Sequence, residues 1–417
     1  MTHETSTDYA HPFRPPPIRW ANAALGAVAG LGPLGVDLSV ESLERAARRR
    51  TKLSDLGDAS YREPLSRLVR SIEDEARLHP VGRLITRTRL VSALANRARL
   101  TALYRSFPEI DRQPLTRPIV IVGLPRTGTT LLHRLLAGDS GRMRALMSWE
   151  ALMPAPLPGE EHPKARMLGA ERGEKALKYL APDFFAVHPI DALGPEEEIL
   201  LLDLAFRSTV PEATMHVPSF AAWLEGVDQG PAYQDMARAL KALSWQRRPA
   251  AREWRWVLKT PHHLEWLDEL PKVLEDPVIV WTHRDPLEVV PSFCSMIAHG
   301  RGVFSDAVDP LEIGRSWLRK AQRMVGRAMD ARPRLGEDRF VDIRYKDLIK
   351  DPVAAARVIQ ERAGLTFDEA TEQRMRRTLE QEKKDRHGVH RYGLELFGLT
   401  PGDVNGALGR YREAYRV

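Results

Sequence analysis

The residues Pro118-Ile119-Val120-Ile121-Val122-Gly123-Leu124-Pro125-Arg126-Thr127-Gly128-Thr129-Thr130 point most directly to chemistry. The apolar run stops at Gly123, and Gly128 opens a helix whose Leu131, Leu132, Leu135 and Leu136 share one face. Strand, tight loop and helix N-terminus together suit an anion such as phosphate or sulfate, because unpaired N–H groups and the helix dipole converge there. The pattern departs from G-x-x-x-x-G-K-[ST]. Thr129 stands where the lysine would be, and the basic residue sits earlier, at Arg126.

A second site is Val278-Ile279-Val280-Trp281-Thr282-His283-Arg284-Asp285-Pro286, a strand ending in an arginine before a proline that favours the first helical position. Ser292 lies eight residues beyond Arg284, on a helix face with Glu288 and Ser295. Arg284 and Ser292 can hold a second phosphate by bidentate charge and hydroxyl donation. A surface pair of Arg284 with Asp285, and a plain helix-face serine, is the alternative.

Together these residues resemble the sulfotransferases that use 3′-phosphoadenosine 5′-phosphosulfate, above all the bacterial and tyrosylprotein branch, whose loop reads Pro-Arg-[Ser/Thr]-Gly-Thr-Thr. The resemblance covers roughly Arg117 to Leu399. It implies that Arg126, Thr127, Gly128, Thr129 and Thr130 cradle the 5′-phosphosulfate, while Arg284 and Ser292 bind the 3′-phosphate. Tyr345, in Arg344-Tyr345-Lys346-Asp347-Leu348, matches an element that contacts adenine, with Lys346 replacing the usual acidic residue. Lys384 and Arg386 lie in a basic stretch, Lys383 to Gly388, placed like the family's C-terminal element that closes over the 3′-phosphate. Lys259, in Trp256-Val257-Leu258-Lys259-Thr260-Pro261, corresponds to the lysine that stabilises the bridging oxygen and leaving group.

A general base must also stand near the acceptor hydroxyl. The resemblance to the tyrosylprotein branch implies a glutamate some twenty residues after the loop, and Glu150, 24 residues after Arg126 and next to Trp149, is the first candidate. His262 and His263, close behind Lys259, are the second. Glu196-Glu197-Glu198 reads as the first turn of a helix, favoured there by the dipole, with one member able to face the acceptor. Sulfuryl transfer moves a less charged group than phosphoryl transfer, so backbone donors and cations suffice without a metal. A P-loop kinase or nucleotide hydrolase is the competing enzyme, disfavoured by the missing lysine. A catalytically silent nucleotide-binding protein is the competing non-enzyme.

The elements that must position these residues read as an α/β fold: a P-loop-like three-layer arrangement with a central parallel sheet and an N-terminal helical extension. Strands are expected at Ile119 to Val122, Trp254 to Lys259, Val278 to Thr282 and Phe340 to Ile343. Helices are expected at Glu196 to Phe206, Gln234 to Trp245, Leu264 to Leu274, Pro286 to Ala298, Glu312 to Met329 and Pro352 to Ala363. Short strands with helices between them argue for a parallel sheet covered on both faces, with the site at the strands' carboxyl ends. Residues 1–36 read as an irregular, partly disordered segment, 37–115 as the helical extension and 116–417 as the catalytic domain.

Composition narrows the class. Hydrophobic residues make up 43% and charged residues 28%, as in globular proteins. The net charge of +6 is spread among 62 basic and 56 acidic residues, which argues against a nucleic-acid partner. One cysteine, Cys294, excludes an internal disulfide and suits a reducing, cytoplasmic setting. The nearest candidate for a membrane span, Ala21 to Val36, is broken by four glycines and Pro33, so no transmembrane segment is expected. The mixture of prolines with Phe184, Phe185, His188, Met215 and His216 between Pro154 and Pro218 suggests an apolar pocket for a small-molecule, lipid or glycolipid hydroxyl. Oligomeric state is left open, a homo-oligomer included.

Overall fold

The computed structural model describes residues 6–29, 36–247, 254–384 and 392–417. Five parallel strands form one sheet: β1 (Ile119–Val122), β2 (Met143–Ala145), β3 (Arg255–Lys259), β4 (Val278–His283) and β5 (Phe340–Arg344), in the order β2-β3-β1-β4-β5. Central β1 pairs with β3 (Ile121 opposite Lys259) and with β4 (Val122 opposite Trp281). The carboxyl ends of three strands therefore open at one edge, below the loop.

Side chains alternate between the two faces, as a pleated strand requires. Val120, Val122, Leu258, Ile279 and Trp281 enter one apolar cluster, while Ile119, Ile121, Val257, Val278 and Val280 enter the other. The first cluster continues into α2 (Val40–Thr51), α3 (Arg62–Glu75) and α4 (Pro80–Ser106) through Leu43, Leu65, Leu68 and Leu94. The second takes in Leu132, Leu135 and Leu136 of α5 (Thr129–Ala137) with Ile359 and Met375. Two clusters on opposite sides of one parallel sheet make three layers.

Three expectations need correcting. The supposedly irregular start contains a helix, α1 (Pro16–Ala29), which two prolines begin at positions they favour. Glu196 to Phe206 is not one helix but a short turn, Ile199–Leu202, and a 3-10 turn, Asp203–Ala205, closed by Phe206 in the left-handed region at φ 54°. Its start is pinned elsewhere, since the Glu198 carboxylate accepts from the Lys259 N–H and His263 Nε2, both at 2.8 Å. Leu264 to Leu274 is likewise split into 3-10 turns and the helical turn Leu270–Val273, with Trp266 non-helical at φ −139° between the two 3-10 turns. Strand β2 was not anticipated: its three residues include Arg144, which is buried between the rings of Trp254 and Trp256 at 4.6 and 4.4 Å.

Candidate active site

The loop after β1 is shaped by positions that only particular residues tolerate. A Cβ on Gly123 would lie 2.2 Å from Thr282 Oγ1 and 2.9 Å from Thr127 Oγ1, so glycine lets the loop sit directly on β4. Thr127 is fully buried; its hydroxyl donates to the Leu124 carbonyl at 2.7 Å and meets Thr282 Oγ1 at 2.6 Å. That side chain braces the loop from beneath, leaving its main chain for any ligand. Arg126 (φ 73°) and Gly128 (φ 90°) are both left-handed, a conformation that costs a non-glycine residue about 1–2 kcal/mol. Helix α5 then starts with no side-chain cap and no acidic residue in its first turn, so its first N–H groups suit an anion.

Contacts from β4 compensate the strain at Arg126. Arg284 Nη1 donates to the Arg126 carbonyl at 2.9 Å, and Arg126 Nε donates to Ser292 Oγ at 3.1 Å. The Arg284 guanidinium lies 4.2 Å from the centre of the Tyr345 ring and pairs with Glu288 at 2.8 Å. Tyr345 also packs on the loop: a Cβ on Gly128 would stand 3.1 Å from its ring and 2.7 Å from Leu348. Arg126, Thr127, Gly128, Arg284, Ser292 and Tyr345, separated by up to 219 positions (345 minus 126), thus form one connected patch. Thr129 and Thr130 open α5 beside it.

Lys259 ends β3 next to β1 and is almost wholly buried, with its ammonium paired to the Glu197 carboxylate. His188 shares this recess, feeling the charges of Glu197, Lys259, Arg126 and Arg134; burial pushes its pKa down to about 4, so the ring is neutral at pH 7. Burial also pushes the Glu196 carboxyl up, against the opposing pull of Lys259. Beneath, a buried chain runs from the Lys259 N–H through Glu198 to His263 and on to the Tyr233 hydroxyl, 2.8 Å from His263 Nδ1. The backbone end of β3 is thereby fixed from below.

Glu150 and His262 are engaged with partners of their own. Glu150 is fully buried, accepts from the Met147 N–H at 3.0 Å as part of a capping box, and is paired with Arg247 and, at 3.8 Å, with Arg144. His262 is enclosed as well: its ring centre lies 4.4 Å from that of Trp266 at a tilt of 31°, Nδ1 lies 3.2 Å from Thr209 Oγ1, and burial holds it well below the usual imidazole range. Lys384 is the last residue of the helix Glu369–Lys384, and Arg386 lies outside the described residues. Glu197 is the residue that sequence reading undervalued. It was visible only as one of three adjacent acids, and its partner Lys259 is 62 positions away.

Among the described residues no group of three or more His, Cys, Asp or Glu side chains could hold a metal ion, and no helix is long and apolar enough to cross a membrane.

Comparison with known proteins agrees with this geometry. None of the curated proteins matches the chain. Among solved structures, the sulfotransferase STF1 from Mycobacterium tuberculosis is 32% identical, covering 89% of this chain and 98% of its own, with a TM-score of 0.78. The sulfotransferase STF9 from Mycobacterium avium is 26% identical over 91% of this chain and 97% of its own, with a TM-score of 0.80. The model of the sulfotransferase family matches residues 118–369, more than half of the chain, and takes in the loop, Lys259, Arg284, Ser292 and Tyr345. The chain therefore belongs to the sulfotransferase family.

Proposed function

We propose that this chain transfers a sulfuryl group from 3′-phosphoadenosine 5′-phosphosulfate to a hydroxyl of a small-molecule, lipid or glycolipid acceptor. The observation that carries the reading is the pair of bonds joining the two anion-binding turns, Arg284 to the Arg126 carbonyl at 2.9 Å and Arg126 to Ser292 at 3.1 Å. A donor with phosphates at both ends of one ribose asks for two such turns side by side. A kinase would instead ask for a loop lysine and a strand-end acid to hold magnesium. Thr129 occupies the first position, and β4 runs into His283-Arg284.

In this reading the first N–H groups of α5 and the Arg126 main chain bind the 5′ end, Arg284 and Ser292 the 3′-phosphate, and Tyr345 the adenine side. Lys384 and Arg386 stay candidates for covering the 3′-phosphate. The donor supplies the sulfuryl group on a phosphate leaving group. Lys259 neutralises the charge that builds on the bridging oxygen, in a recess where little water weakens the interaction. Glu197, already in contact with Lys259, takes the acceptor's hydroxyl proton. Glu150 is less suited to that role, since its carboxylate is shared between Arg247, Arg144 and the Met147 N–H. His262 is less suited because its ring is enclosed against Trp266. The apolar character of the acceptor is supported by Phe184, whose ring lies 5.7 Å from that of His188.

Transfer of radiolabelled sulfate from the donor to a panel of phenols, sterols and glycolipids tests the proposal. Labelled product without added metal is expected; ATP turnover with magnesium, or donor binding without transfer to any acceptor, would refute it. Glu197→Gln should lower kcat by about 10²–10⁴-fold with donor affinity nearly unchanged.

A further inference from the structure

The turn that carries Arg284 is also held from a part of the chain outside the family match, the C-terminal helix Pro401–Tyr415. Successive residues of β4 face opposite ways. Thr282 meets the loop, and His283 turns to the C-terminal helix. His283 is 1% exposed, with Nε2 2.9 Å from Asp342 Oδ1 on β5 and Nδ1 3.1 Å from the Tyr411 hydroxyl. Arg332 holds that carboxylate through two bonds of 2.8 Å. Because Asp342 accepts from Nε2–H, Nδ1 is left as the acceptor for the Tyr411 O–H. Tyr415 covers the imidazole face, with ring centres 3.9 Å apart at 14°.

The same helix also reaches past Arg284. Arg412 donates to Asp285, the residue that caps the following helix by accepting from the Leu287 N–H. One helix thus holds His283 and Asp285, the residues on either side of Arg284. The Arg284 guanidinium must at once meet the Arg126 carbonyl, Glu288 and the Tyr345 face. A backbone shift of about 0.5 Å would spoil such a joint fit.

We infer that Tyr411 and His283 are positioning residues: through their hydrogen bond the C-terminal helix sets where Arg284 stands, and so how tightly the donor's 3′-phosphate is held. This rests on the function proposed above for the identity of the anion. Neither side chain needs to touch the donor, since both act through the main chain at Arg284.

The test is a double-mutant cycle on the full chain, titrating adenosine 3′,5′-bisphosphate by calorimetry into wild type, Tyr411→Phe, Arg284→Lys and the double variant. Tyr411→Phe removes one hydroxyl and should weaken binding about five- to tenfold, with the acceptor KM unchanged. In the Arg284→Lys background the same change should have little further effect. Leu408→Ala, a packing control on the same helix, should lower the melting temperature while leaving affinity per folded molecule alone. Undiminished affinity in Tyr411→Phe, an equal loss with Arg284 replaced, or an equal loss in Leu408→Ala would each overturn the inference. If wild type itself fails to bind the bisphosphate, the proposed function falls and this inference with it; binding by wild type with an indifferent Tyr411→Phe removes the inference alone.

Discussion

Replacing Arg284 by lysine separates charge from shape at the second anion site. Lysine keeps the positive charge but not the planar fork that bonds the Arg126 carbonyl while lying over Tyr345. The guanidinium is only 20% exposed, so the lost bonds are not simply replaced by water. A hydrogen bond to a charged group contributes about 1.5–3 kcal/mol, and the fork offers the phosphate one more such bond than an ammonium can align. Binding of adenosine 3′,5′-bisphosphate should therefore weaken by about 10–150-fold. The Arg126 carbonyl loses its donor too, and the left-handed turn at φ 73° becomes less well held. Affinity should accordingly fall at the 5′ end as well, which a comparison with adenosine 5′-phosphate reads directly. Calorimetry on the folded variant, checked by circular dichroism, is the assay. Affinity for both ligands within twofold of wild type would refute the two-turn grip.

Other predictions concern the frame around the site. Glu150→Gln should keep the Met147 cap but lose the buried pairing with Arg247 and Arg144, costing about 3 kcal/mol of stability. Sulfuryl transfer per folded molecule should survive, as denaturant melts combined with active-site titration would show; a folded but inactive variant would return the base role to Glu150. Gly128→Ala should destabilise the loop by about 1–2 kcal/mol from backbone strain alone, before the contact of its Cβ with Leu348 at 2.7 Å is counted. A combined loss of melting temperature and donor affinity is expected. Acid stability should depend on Glu312. Burial raises its carboxyl, but hydrogen bonds and charge from His216 and Arg301 outweigh that and hold it at about 2. A depressed folded value stabilises the fold above the unfolded value near 4.5, and this contribution fades as pH falls towards 2. The melting-temperature gap between wild type and Glu312→Gln should hence be wide at pH 6 and close at pH 2; a gap independent of pH would contradict the assignment.

The strands of the central sheet were legible because burial on both faces writes them as unbroken apolar runs: Ile119 to Val122 and Val278 to Val280 read as strands without help from their neighbours. Strand β2 was not, because Arg144 interrupts it and is made compatible with burial largely by distant partners, the Leu243 carbonyl and two tryptophans about a hundred or more positions away. The loop was legible as a strand, a tight turn and a helix start, whereas Arg284 stood out from a plain surface pair only through the family resemblance. What stays hidden is long-range charge pairing. Nothing local distinguishes Glu150, which meets Arg247, from Glu197, which meets Lys259. Helix continuity through Glu196 to Phe206 failed on the same ground, since Glu198 is drawn towards Lys259 and His263.

The Lys259–Glu197 pair has a consequence for timing. In the proposed reaction the same ammonium is also the partner of the donor's bridging oxygen, so Glu197 and the donor compete for it. Arrival of the donor would draw the ammonium away and free a carboxylate oxygen to meet the acceptor hydroxyl. Such an interlock arms deprotonation only once the group to be passed on is in place, which disfavours idle ionisation of the acceptor and hydrolysis of the donor by stray water.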